Sequence, residues 1–123
     1  RRQCGSDFSL LSGDDFTTLP FLAQGGNGII SVASNVVPGE MRRLVDAARA
    51  GDLETATSLS ERLFPLFRDL FLESNPIPVK AALASLGLCV DSLRLPLVPM
   101  SDAARQSLIE TMSALSLADG EAR

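Results

Sequence analysis

Residues 10–35, LLSGDDFTTLPFLAQGGNGIISVASN, decide the fold. An apolar run, 8–12, stops at Gly13, and this predicts a short buried strand. Asp14 or Asp15 is placed to cap a helix that runs to about Gln24, where Gly25 and Gly26 end it. GIISVA, 28–33, is rich in β-branched residues and predicts a second buried strand. Two buried strands joined through a helix are most simply parallel, with a right-handed crossover.

Beyond Asn35 the pattern is helical. Pro38 suits a first helical position, and in GEMRRLVDAARA the residues Met41, Leu44, Val45 and Ala48 form one apolar stripe that Gly51 closes. Asp52 caps a long helix over about 53–73, in which Pro65 predicts a bend. A further helix follows NPIPVK, with Asn75 as its cap and Pro76 at its first position. RLPLVPM is extended because of Pro96 and Pro99. Ser101 caps a last helix over roughly 102–117. Two strands make no stable sheet alone and leave unpaired edges beside apolar side chains. The strands therefore call for neighbours that these 123 residues do not encode. The opening RRQCGSD leads straight into the first strand, and the expectation is a piece of a longer protein.

Composition narrows the function classes. Apolar residues make up 46% of the chain, which argues against disorder. A formal net charge of −4 with no basic cluster argues against a nucleic-acid surface and against adhesion to anionic membranes. No histidine is present, which removes the commonest general base and metal ligand and every His-containing triad; no metal site is expected. Cys4 and Cys89 lack metal-ligand spacing and are expected as reduced thiols in a cytoplasmic protein. No apolar run is long enough to span a bilayer.

Four segments carry possible chemistry. GGNGII does not match a dinucleotide fingerprint, because Ser31 stands at the third glycine position and a strand follows rather than a helix. In SGDD, Gly13 lies where ligands meet the carboxyl ends of parallel strands, and Asp14 and Asp15 are either an acid/base pair, although adjacent residues point in different directions, or helix caps. In ESNPIPVK, Asn75 is either a cap or a ligand contact, and Lys80 is either a solvated lysine or the chain's one candidate imine-forming amine. Arg94, between leucines in LRLPL, is expected in an ion pair or on a carboxylate.

LLSGDD, GGNGIISVASNVVP, LFLESNPIPVKAAL and LRLPLVPM, in this order and spacing, closely resemble the C-terminal part of the dihydrodipicolinate synthase (4-hydroxy-tetrahydrodipicolinate synthase) family. The resemblance implies an α/β fold: the last two β/α units of a (β/α)₈ TIM barrel, units 7 and 8, over residues 1–50. A C-terminal helical domain of three helices would follow over 51–123. It implies a Schiff-base lyase of lysine (diaminopimelate) biosynthesis that condenses pyruvate with aspartate semialdehyde, uses no cofactor and associates as a homo-oligomer. The imine-forming lysine and the proton-relay tyrosine of the family find no match here, so the missing N-terminal part of the barrel would carry them. No catalytic residue is then expected in this chain, which alone would be inactive. Ile30 matches the isoleucine that lines the pyruvate pocket. Gly13, Asp14 and Asn75 match neighbours of the second substrate. The rival reading is a truncated, non-catalytic helical module for interaction or oligomerisation.

Overall fold

The computed structural model describes residues 2–117. Two short strands, β1 (Leu11–Ser12) and β2 (Gly28–Ile29), flank helix α1 (Thr18–Ala23). A 3-10 turn (Ala33–Asn35) leads into α2 (Pro38–Ala50), followed by α3 (Leu53–Asp69), α4 (Ile77–Ser85) and α5 (Asp102–Ala114). The strands pair in parallel, Leu11 with Gly28 and Ser12 with Ile29. Their ladder reaches one residue further at each end, because Asn27 N donates to Leu10 O and Ile30 N to Ser12 O, both at 2.8 Å. The predicted strands 8–12 and 28–33 are thus shortened. A strand persists only where a neighbour supplies partners, and residues 33–35 turn into the 3-10 segment instead.

Helix ends follow local chemistry. Pro38 opens α2 at its first position, and Gly51 closes it in the left-handed region at φ 80°. Asp52 caps α3 by accepting from Thr55 N at 3.1 Å. That helix runs through Pro65 and stops at Asp69, four residues short of the expected end. At α4 the helix begins one residue later than predicted. Pro76 takes the cap position, so Asn75 lies outside the helix and makes no cap bond. Ser101 precedes α5 as predicted, but its backbone N–H and hydroxyl donate to Glu73 Oε1 at 3.1 and 2.6 Å rather than capping the helix. Gly26 is required by packing: a Cβ there would lie 2.3 Å from the Phe21 ring.

The helices close on themselves. Leu63, Leu66 and Phe67 of α3, with Leu70 just past its end, pack with Val36, Met41, Ala82, Leu108 and Met112 into one core that runs from the 3-10 turn to α5. A smaller cluster of Leu22, Leu44 and Leu59 joins α1, α2 and α3. Each such leucine contributes roughly 1.5–3 kcal/mol by leaving water. Asp69, fully buried, ties α3 to α5: it accepts from Arg68 Nε at 2.6 Å and from Thr111 Oγ1 at 2.5 Å. Burial pushes the Asp69 carboxyl up, but the hydrogen bonds from Arg68 and Thr111 and the Arg68 charge outweigh it and hold it below its ordinary range. Phe16, just after β1, meets the rings of Phe64 and Phe71 at 5.5 and 5.9 Å and pins that loop to α3.

Candidate functional site

Side chains alternate faces along a strand, and paired residues of a parallel ladder share a face. Ser12 is buried and Ile29 packs against the main core, so their face is the one the helices cover. Leu11 and Ile30 lie on the opposite face, 51% and 71% exposed. Gly28 shares that face, since a Cβ there would meet Leu11 Cδ2 at 3.3 Å. The sheet therefore has one apolar face packed and one apolar face bare.

The register sets Gly13 opposite Ile30, one step beyond the Ser12–Ile29 pair, at the carboxyl ends of both strands. Gly13 is exposed in the bend after β1. Asp14 is half-buried, and its carboxylate accepts the Thr17 hydroxyl at 2.6 Å. Its backbone N–H donates to Ser12 Oγ at 3.1 Å, which closes the turn. Gly13, Asp14 and Ile30 are thus gathered at one end of the sheet. Asn75 is exposed in the loop entering α4, and among the described residues it makes no side-chain hydrogen bond to the other three. Helix α4 packs against the 3-10 turn that follows Ile30, so the helical region braces this strand end from behind.

Asp15 was expected as a cap of α1. The helix starts at Thr18, with Thr17 at the cap position, and Asp15 faces away from it. Only 2% exposed, Asp15 accepts from Val32 N and Ala33 N with Oδ2, both at 3.0 Å. Its Oδ1 is buried with no hydrogen-bond partner among the described residues. Ser31 Oγ accepts the next amide, Ser34 N, at 2.8 Å. Two side chains therefore satisfy three consecutive N–H groups of the turn leaving β2. The doubled Asp of SGDD carries no local signal for this contact, because its partners lie 17 and 18 residues downstream, beyond the reach of cap rules.

Beside the strand ends, an open groove of about 410 Å³ runs between β2 and α2, lined mainly by Leu11, Ile29, Met41 and Val45, with Ser31 and Arg42 at its polar side. Lys80 lies in α4, and its ammonium donates to the Ser92 carbonyl. Arg94 is exposed and, among the described residues, forms no ion pair, contrary to the sequence expectation. Cys4 and Cys89 are free and exposed. No group of metal-binding side chains and no helix long and apolar enough to cross a membrane occurs among the described residues.

Residues 1–115 match the sequence model of the Dihydrodipicolinate synthetase family. The chain belongs to that family. A 4-hydroxy-tetrahydrodipicolinate synthase of Alcanivorax borkumensis is 54% identical over 112 residues, which cover 91% of this chain and 38% of the relative. Among solved structures, dihydrodipicolinate synthase from Aquifex aeolicus superposes with a TM-score of 0.92 at 46% identity, over 94% of this chain and 40% of that one. The synthase from Thermotoga maritima gives a TM-score of 0.91 at 43% identity over 94% of this chain and 39% of its own. The chain thus spans about two fifths of the length of these family members, whose fold is the TIM barrel. The part it shares with them is mostly helical with a small parallel sheet.

Proposed function

We propose that this chain is the C-terminal part of a Schiff-base lyase that condenses pyruvate with aspartate semialdehyde. In this reading β1 and β2 are the seventh and eighth strands of the barrel. Residues 1–50 are its closing units, and 51–123 are a helical domain that braces them. The observation that carries the reading is the placement of Gly13 and Ile30 side by side at the carboxyl ends of parallel strands, on the bare apolar face. In α/β barrels that end of the strands is where substrates bind.

The chain's share of the chemistry is wall and shape, not the attacking amine. Ile30 presents an apolar side chain to pyruvate. Such a wall keeps water from the imine and favours the neutral form of a nearby amine, which is the form that attacks a keto carbon. Gly13 leaves room for a substrate to approach the strand-end backbone. Asp14 and Asn75 are polar neighbours of the second substrate, Asp14 at the strand end and Asn75 at the entrance to α4. Lys80 is not the nucleophile: it lies in a helix, with its ammonium held on a carbonyl. The imine-forming lysine and the proton-relay tyrosine belong to the upstream part of the barrel, which supplies the partners the bare face lacks. Left uncovered, that face favours association of this chain with a further copy of itself.

The test joins the upstream three fifths of the Alcanivorax borkumensis synthase to this chain. The fused protein is expected to condense pyruvate with aspartate semialdehyde, and Ile30→Asp is expected to weaken its pyruvate binding. A well-folded fusion with no condensing activity, or an Ile30→Asp variant with unchanged pyruvate affinity, would contradict the reading.

A further inference from the structure

The contact that local sequence rules missed falls two and three residues beyond Ile30, at Val32 N and Ala33 N. We propose that Asp15 is a positioning residue for the pyruvate wall: from the end of β1 it clamps the backbone leaving β2 and so fixes Ile30. The proposal rests on the functional reading above and adds to it a residue that touches no substrate.

Ile30 is held on its amino side by the ladder, through its N–H to Ser12 O at 2.8 Å. On its carboxyl side the chain must turn at once into the 3-10 segment, and the N–H groups at the start of that turn have no partner within it. Asp15 Oδ2 takes two of them, Val32 N and Ala33 N. A carboxylate accepting from backbone N–H groups makes stronger bonds than a neutral acceptor, and burial keeps water from competing for them. Asp15 and Ser12 lie three residues apart on one strand end, so both anchors of Ile30 come from the same short stretch, 12–15. The wall and the Gly13 bend then move as one piece.

The fused protein tests this with Asp15→Ala and Asp15→Asn. Loss of two charge-assisted hydrogen bonds to the wall is expected to raise the pyruvate KM about tenfold in Asp15→Ala. The semialdehyde KM should stay within about twofold, since Gly13 and Asp14 keep their own turn bonds. Asparagine retains an acceptor oxygen and should recover most of the loss. A drop in kcat and in both affinities together, tracking a lower melting temperature, would mean a merely structural role and would overturn the proposal. Should the unmutated fusion fold well and prove inactive, the functional reading fails, and the clamp is decided on this chain itself by amide hydrogen exchange. Asp15→Ala must then speed exchange at Val32, Ala33 and Ile30, with Asp15→Asn in between. An Ile30 amide as protected in Asp15→Ala as in the parent chain would refute it.

Discussion

The strand end and the helical region solve opposite problems with similar residues. In α3–α5, Leu63, Leu66, Phe67, Leu70, Leu108 and Met112 all point into one core and are sealed from water. In β1 and β2, Leu11 and Ile30 point to the other face of the sheet, where more than half of each residue stays in water. The sequence spends apolar side chains equally freely in both places, yet only the helices recover the free energy of burial. Stability of this chain therefore resides in the helices, and in the proposed function the surface that meets a substrate or a neighbouring strand resides in the sheet. Substitutions should separate along that line.

The largest effect is expected in the helical core. Phe67→Ala empties the centre of α3 and should cost about 3–5 kcal/mol, enough to abolish cooperative thermal unfolding followed by circular dichroism. Next comes the polar tie between α3 and α5. Asp69→Ala leaves Thr111 without its acceptor and Arg68 without its partner, and should cost about 1–3 kcal/mol in urea unfolding. The same carboxylate sets an acid limit. Its folded value lies below its unfolded one, so its stabilisation is complete above the unfolded value, near pH 4, and is lost as pH falls through the folded value. Melting temperature should fall on acidification below about pH 4, and the Asp69→Asn variant should lose that part of the acid sensitivity.

Smaller effects test the edges of the division. Ser101→Ala removes the hydroxyl that Glu73 holds. The Ser101 side-chain and backbone hydrogen bonds hold the Glu73 carboxyl below its ordinary range, so the variant should raise it, read by NMR titration, with only a slight change in melting temperature. Smallest of all should be the effect of Ile30→Asp on the stability of this chain, within about 0.5 kcal/mol because the residue is already in water. A large loss there would erase the contrast between the two regions.

Much of this arrangement is legible in the sequence, because most of its signals are local. Pro38 and Gly51 bracket α2, Asp52 caps α3, and the 3–4 spacing of Leu63, Leu66, Phe67 and Leu70 marks its buried face. Ile29, Ile30 and Val32 in the stretch 28–33 mark β2 but not where it stops, since strand length depends on partners elsewhere. Caps were legible only where the helix start was unambiguous. Asn75 fell one residue outside α4, and Ser101 found Glu73, 28 residues upstream, instead of its own helix. Asp15 is the clearest case: both acids of SGDD look like caps, and nothing nearby tells that one of them reaches Val32 and Ala33. Gly13 was read as a strand end, whereas Ile30 was singled out by the family resemblance, and the parallel register sets the two side by side. Asn75 joins them only through the family resemblance.

The account stands on a bare strand face that shapes a pocket without supplying its amine. Trapping with borohydride in the presence of pyruvate, read by peptide mass, tests this most directly. The account predicts that the fused protein gains a reduced pyruvate adduct on a lysine upstream of this chain, and that the chain by itself gains none. An adduct on Lys80, in either protein, would contradict it.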